Sequence, residues 1–218
     1  FFFKQKTAYE IRNCDWSSTC ALPISNRTHL RDYERALEKH GREVGAILRV
    51  HRSNFRMQGF VRQPELAELA RLAKRRRLPL LEDLGSGALH DLSTFGLERE
   101  PTVAESLAAG VSVVTCSGDK LLGGSQAGLV LGRSAAIQRI RKHPFARAMR
   151  LDKLALAALE ATLAVHADPA RAQAELPALA MLAATPEVLE ERAARLAREL
   201  EARIPGLTTT RVAGVGEV

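Results

Sequence analysis

The sequence predicts an α/β fold in which a mostly parallel β-sheet carries helices on both faces. From Asn26 onward, short apolar runs of strand length alternate with segments of helical periodicity. The apolar runs are nearly continuous, as expected for strands that are buried on both faces. Polar clusters follow several of these runs, and the carboxyl ends of parallel strands are where α/β sheets bind ligands.

The first part of this pattern is a predicted strand–helix–strand unit. Residues 44–50 (VGAILRV) form the first strand and residues 78–83 (LPLLED) the second. Residues 64–77 form the helix between them, because proline stands in its first turn and apolar residues recur at helical spacing. Residues 74–77 (KRRR) form its cationic end, where positive charges interact favourably with the C-terminus of the helix dipole. A contact with nucleic acid is the alternative interpretation of these residues.

Two more strands and several helices are predicted downstream. Residues 101–110 form a helix that stops at a glycine and leads into a third strand, 111–116. Residues 127–132 form the fourth strand. Alanine- and leucine-rich helical patterns cover 151–166 and 186–203.

The first 25 residues differ from the rest of the chain. They contain the only tryptophan, two of the three cysteines and three of the seven phenylalanines. They resemble a translated sequencing-adaptor peptide, so we expect a foreign or unstructured segment outside the fold. Residues 26–165 are expected to form part of a large domain. Residues 166–218 are expected to form a linker and the truncated beginning of a small C-terminal α+β domain, which makes the chain a fragment.

Composition excludes few functions. A formal net charge of +7 is compatible with a polyanionic partner, but many small-molecule enzymes are equally basic. The sequence has neither a run of roughly 18–20 apolar residues nor a signal peptide, which predicts a cytoplasmic location. Three cysteines without metal-ligand spacing indicate neither a disulfide framework nor a zinc site.

Asp83 and Lys120 stand at the ends of two neighbouring predicted strands and suggest pyridoxal phosphate chemistry. A lysine amine can form a Schiff base with the cofactor aldehyde, and a carboxylate can keep the pyridine nitrogen protonated. Ser117 and nearby backbone amides could bind the cofactor phosphate, with Gly123 and Gly124 allowing close approach. A turn cap for Asp83 and a solvated charge for Lys120 remain the alternatives.

Four separated segments resemble bacterial L-seryl-tRNA(Sec) selenium transferases, also called selenocysteine synthases. They occur in order and cover almost everything after residue 25: 25–37, 82–89, 100–128 and 141–153. The resemblance implies part of the large pyridoxal phosphate-binding domain of a fold-type-I transferase, with Lys120 as the Schiff-base lysine and Asp83 facing the pyridine nitrogen. Ser125 stands where this family usually has a proline.

The same resemblance implies pyridoxal phosphate-dependent conversion of L-seryl-tRNA(Sec) to L-selenocysteinyl-tRNA(Sec), through an aminoacrylyl-tRNA intermediate. Arg147 and Arg150 match family residues that bind the phosphate-like end of the selenium donor, selenophosphate, with a solvated helix start as the alternative. The family implies a homo-oligomer, a ring built from dimers. Asn54 is a further candidate cofactor contact, although loop packing explains it as well.

Two other functions stay open. A related pyridoxal phosphate lyase acting on a small phosphorylated amino compound would use the same lysine and arginines. A catalytically inert fragment is the other alternative, because fold-type-I sites also use N-terminal residues and a second subunit. Salt-sensitive tRNA binding would distinguish the transferase from the lyase.

Overall fold

The structure, a computed structural model, describes residues 26–51, 59, 61–97 and 99–212. Strands and helices alternate through the first half of this part of the chain, and helices follow. In chain order the elements are β1 (Asn26–Arg27), α1 (Leu30–His40), β2 (Ile47–Val50), β3 (Val61–Arg62), α2 (Leu66–Arg76), β4 (Leu80–Gly85), a 3₁₀-helix (Leu92–Phe95), α3 (Val103–Ala108), β5 (Val113–Ser117), β6 (Gly128–Gly132), α4 (Ser134–Lys142), α5 (Pro144–Ala148), α6 (Lys153–His166), α7 (Pro169–Glu175), α8 (Pro177–Leu182) and α9 (Pro186–Arg203).

The main sheet has four strands in the order β2–β4–β5–β6. Strands β2, β4 and β5 are parallel, which confirms the predicted mostly parallel sheet. Strand β6 runs antiparallel to β5. The loop between these two strands, residues 118–127, contains no helix that could return the chain for parallel pairing. Strands β1 and β3 form a separate parallel pair.

The crossover helix α2 lies where the sequence places it. It ends at Arg77, whose backbone adopts a left-handed conformation with φ of 56°. Two arginines of its cationic end face carboxylates of α1: Arg75 Nη2 lies 3.2 Å from Glu34 Oε1, and Arg76 Nη2 lies 4.0 Å from Glu38 Oε1. These contacts are solvent-exposed, so each contributes little stability.

The largest core cluster lies between the sheet and helices α1, α2 and α3. Residues paired directly across neighbouring strands point to the same face, so the strand register separates this face from the opposite one. Asp83 of β4 belongs to the opposite face, together with Val50 of β2 and Val130 of β6. Val50 is 48% exposed and Val130 is 45% exposed. Asp83 therefore lies on the side of the sheet away from the main core.

Two smaller core clusters connect helices α6, α7 and α8 to the loops that leave the sheet. Leu92, Ala172, Leu176 and Leu179 form one of them, with Leu121 packed against it. In the other, Leu122 packs with Ala127 and Leu159. The loop after β5 is thus held between the sheet and these helices.

The end of the described chain lies along α9, and residues 207–212 form no strand. Thr209 donates to Glu201 Oε1 through its backbone N–H (2.9 Å) and its hydroxyl (2.6 Å), and Arg211 pairs with Glu190. None of the helices in the described part of the chain is long and apolar enough to cross a lipid bilayer.

Candidate functional site

Asp83 is held at the carboxyl end of β4, between two neighbouring strands. Its carboxylate oxygen Oδ1 accepts a hydrogen bond from the Thr115 hydroxyl of β5 at 3.0 Å. Its backbone carbonyl accepts from the His51 N–H, directly after β2, at 2.8 Å. Burial and then the Asp83 charge raise the pKa of the buried Cys116 thiol. These contacts orient the Asp83 carboxylate at the carboxyl end of β4.

Lys120 lies in the loop formed by residues 118–127, which we call the Lys120 loop. Three backbone hydrogen bonds close it: Gly118 N–H donates to the Ala127 carbonyl, Gly124 N–H to the Gly118 carbonyl and Gly123 N–H to the Lys120 carbonyl. Lys120 itself is exposed. The loop therefore has a defined backbone while the lysine side chain remains accessible.

A further hydrogen bond ties this loop to the segment that follows Asp83. The Leu121 N–H donates to the Ser86 carbonyl at 3.0 Å. Ser86 comes directly after β4 and is 3% exposed. The structure thus brings the Lys120 loop alongside the strand end that carries Asp83, as the sequence predicts for two neighbouring parallel strands.

Gly87 allows the closest backbone approach between these two segments. Its φ is 74°, and a Cβ atom built there would lie 2.4 Å from the Ser117 carbonyl oxygen. Ser117 is the last residue of β5, and the Lys120 loop begins immediately after it. A residue with a side chain would have to push the two segments apart.

We expect Gly87→Ala to lower the free energy of unfolding by about 2–4 kcal/mol, combining the left-handed backbone penalty with steric overlap. Urea denaturation measures this change. Gly96→Ala is the matched control, because Gly96 also has a positive φ, 77°, but nothing lies within 4 Å of its added Cβ. Equal destabilisation by the two variants would show that the Gly87–Ser117 contact is unimportant.

Ser125 connects the Lys120 loop to helix α6. Its hydroxyl donates to the Ala155 carbonyl at 2.9 Å. The sequence identified Ser125 only as a departure from the proline of the resembling family, and predicted no partner for it. The structure shows that the serine supplies a hydrogen bond that proline could not.

Sequence reasoning missed a pair of histidines, of which His166 contacts this loop. His90 Nε2 and His166 Nδ1 are 3.0 Å apart, and the two rings stack with centroids 5.1 Å apart. His166 Nε2 lies 2.8 Å from the Leu122 carbonyl oxygen. Because the two histidines are 76 positions apart in the chain, no local sequence motif could have joined them.

The His90 environment predicts acid-sensitive stability. Burial and then the charge of His166 lower the pKa of His90 below its usual value of 6.5. The unfolded chain therefore binds a proton on His90 more readily than the folded chain does. The contribution of neutral His90 to folding stability is complete above the pKa of the unfolded state, and it is lost as the pH falls through the pKa of the folded state. We expect the thermal midpoint to decrease when the pH is lowered from 7.5 to 5.5, and to decrease less in His90→Gln. An equal fall in both chains would contradict this origin.

Of the remaining predicted site residues, the structure describes Ser117, Arg147 and Arg150. Ser117 is partly buried at the end of β5. Arg147 in α5 and Arg150 just after it are both exposed and lie outside the Lys120 loop. Asn54 lies outside the described residues, as do residues 1–25.

The interior also contains polar groups that the sequence did not single out. Glu82, 1% exposed, forms an ion pair with Arg49 on the neighbouring strand β2. Glu82 Oε2, Arg49 Nε and the Ser86 hydroxyl are buried without a hydrogen-bond partner in the structure. Of these, Ser86 directly follows the last residue of β4, the strand that carries Asp83.

The sequence of this chain is similar to those of known proteins. The sequence model of the family described as L-seryl-tRNA selenium transferase matches residues 17–215, a range that begins inside the N-terminal segment set aside above. The L-seryl-tRNA(Sec) selenium transferase of Solidesulfovibrio magneticus is 53% identical over 182 residues, which cover 84% of this chain and 38% of the relative. That of Nitratidesulfovibrio vulgaris is 52% identical over 176 residues, covering 81% of this chain and 37% of the relative.

The chain thus spans less than half the length of these curated relatives. Among solved structures, a D-glucosaminate-6-phosphate ammonia-lyase matches with a TM-score of 0.41 and 22% identity, over 56% of this chain and 29% of the other. That likeness is too loose to support any inference about this chain.

Proposed function

Because the chain belongs to the L-seryl-tRNA selenium transferase family, we propose that it carries part of an enzyme that converts L-seryl-tRNA(Sec) to L-selenocysteinyl-tRNA(Sec). Pyridoxal 5'-phosphate is the proposed cofactor and selenophosphate the selenium donor. One observation supports this function most directly: the Leu121–Ser86 hydrogen bond holds the Lys120 loop beside the strand end that carries Asp83.

The residues around this strand end fit the cofactor. The Thr115 hydroxyl donates a hydrogen bond to Oδ1 of Asp83. The other carboxylate oxygen, Oδ2, has no hydrogen bond among the described residues, so it is the oxygen that would accept one from a protonated ring nitrogen. The buried Ser86 hydroxyl has no hydrogen-bond partner among the residues that the structure describes, and a bound ligand would satisfy it. Gly87 has a φ of 74° and no Cβ atom, which lets the segment after β4 approach the Ser117 backbone closely.

Bound pyridoxal phosphate supplies an electron sink for the charge that develops when the substrate loses its Cα proton. Lys120 Nζ would hold the cofactor at its aldehyde carbon, and its amine would serve as the general base that accepts that proton. Asp83 keeps the ring nitrogen protonated. Ser117 and neighbouring backbone amides that do not donate within the loop would bind the cofactor phosphate, with Asn54 as a further proposed contact.

The substrate residues and the assembly are proposed on the family resemblance. Arg147 and Arg150 bind the phosphate of selenophosphate, since guanidinium groups form paired hydrogen bonds with phosphate oxygens. Residues 26–165 belong to the large cofactor-binding domain, and residues 166–218 form the linker and the beginning of the small domain. The protein acts in the cytoplasm as a homo-oligomer.

A conversion assay tests this function. The 218-residue chain is incubated with pyridoxal phosphate, selenophosphate and seryl-tRNA(Sec), and the amino acid released from the tRNA is identified by mass spectrometry. Selenocysteine is the expected product. Release of ammonia from a small phosphorylated amino compound, without any need for tRNA, would instead identify a lyase. No cofactor binding at all would identify an inert fragment.

A further inference from the structure

The hydrogen-bonded pair of His90 and His166 lies outside the residues assigned above and ends on the Lys120 loop. His166 is 7% exposed and is the last residue of α6. Its Nε2 lies 2.8 Å from the Leu122 carbonyl oxygen, and Leu122 is fully buried. A buried polar side chain of α6 therefore contacts the backbone two residues after Lys120.

The partners fix the protons on both rings. The Leu122 carbonyl can only accept, so His166 Nε2 carries the proton and donates. In the neutral ring Nδ1 is then an acceptor, and His90 Nε2 must donate to it across 3.0 Å.

The Leu122 carbonyl lies between two backbone amides of the Lys120 loop that each donate a hydrogen bond. On one side, the Leu121 N–H donates to the Ser86 carbonyl. On the other, the Gly123 N–H donates to the Lys120 carbonyl at 2.9 Å. Fixing the carbonyl between these two amides orients the peptide planes of the turn from which the Lys120 side chain projects.

We infer that His166 is a positioning residue for Lys120, and that His90 selects the tautomer in which His166 can act. The importance of this role for catalysis rests on the proposed function of Lys120. His166 would not touch the cofactor or the substrate. It would instead restrict the turn so that the lysine amine reaches the cofactor in one orientation.

Two substitutions of His166 separate positioning from bulk packing. His166→Leu fills the space but removes the donor, whereas the side-chain amide of His166→Gln can still donate to the Leu122 carbonyl. Hydrogen exchange of the peptide 118–124 is measured by mass spectrometry in the cofactor-free chain. We expect exchange about 3- to 10-fold faster in His166→Leu, the range set by losing one neutral hydrogen bond, and wild-type exchange in His166→Gln.

The second measurement is the rate at which pyridoxal phosphate becomes attached to Lys120, followed by borohydride trapping. Attachment should slow in His166→Leu and recover in His166→Gln. Leu37 belongs to the largest core cluster, between the sheet and α1, α2 and α3, so Leu37→Ala is the control for general destabilisation. It should lower the thermal midpoint without selectively accelerating exchange in the Lys120 loop.

Equal exchange in His166→Leu and wild type, or equal defects in the leucine and glutamine variants, would overturn the positioning role. A wild-type chain that forms no adduct at Lys120 would overturn the proposed function instead. The exchange comparison would still decide whether His166 orders the loop, so the two failures are distinguishable.

Discussion

We expect Lys120→Ala to abolish the absorbance band proposed for pyridoxal phosphate on the wild-type chain, and with it the proposed conversion of seryl-tRNA(Sec). The effect is expected to be complete because the lysine amine both bonds the cofactor aldehyde and moves the Cα proton. The fold should survive, since Lys120 is exposed and its backbone hydrogen bonds do not depend on the side chain. Spectroscopic titration with the cofactor and a thermal melt measure both outcomes.

The matched control is Lys39→Ala, at an exposed position in the last turn of α1. This variant removes the same charge far from the strand ends and should keep the wild-type spectrum. A band that persists in Lys120→Ala, or disappears equally in Lys39→Ala, would exclude Lys120 as the attachment residue.

We expect Asp83→Asn to weaken the proposed binding of pyridoxal phosphate without changing the shape of the site. The asparagine carbonyl oxygen can still accept from Thr115, but the negative charge opposite the ring nitrogen is lost. A hydrogen bond to a charged group contributes about 1.5–3 kcal/mol, so the apparent Kd should rise roughly 10- to 100-fold. Absorbance titration measures the change.

Thr115→Val provides the complementary variant, because it removes the hydrogen bond and keeps the carboxylate charge. It should affect Kd less than Asp83→Asn does. A larger effect from Thr115→Val, or an unchanged Kd in Asp83→Asn, would mean that Asp83 is a structural residue at the strand end. The pKa of Cys116, which the Asp83 charge helps to raise, should fall in Asp83→Asn and confirms that the charge is gone.

The parallel part of the sheet was predictable because its signals are local. Apolar runs marked β2, β4 and β5, and the proline before α2 with its apolar periodicity marked the crossover helix. The antiparallel direction of β6 was harder to foresee. It depends on the path of a ten-residue loop whose hydrogen bonds join positions far from one another.

The site was predictable to the extent that it follows from strand order. Asp83 and the Lys120 loop come together because β4 and β5 are neighbours and parallel. The partners of Ser125 and Leu122, however, come from α6, a helix that begins more than 30 residues after Lys120. Such contacts depend on how α6 packs against the loop, and no sequence spacing specifies that packing.

Peptide mapping of the reduced wild-type chain tests the central claim most directly. The 218-residue chain is incubated with pyridoxal phosphate, reduced with borohydride, digested and analysed by mass spectrometry. We predict a single modified site, Lys120, in the peptide that also contains Gly118. Modification spread over exposed lysines, or confined to a lysine other than Lys120, would contradict the assignment of this loop as the cofactor site.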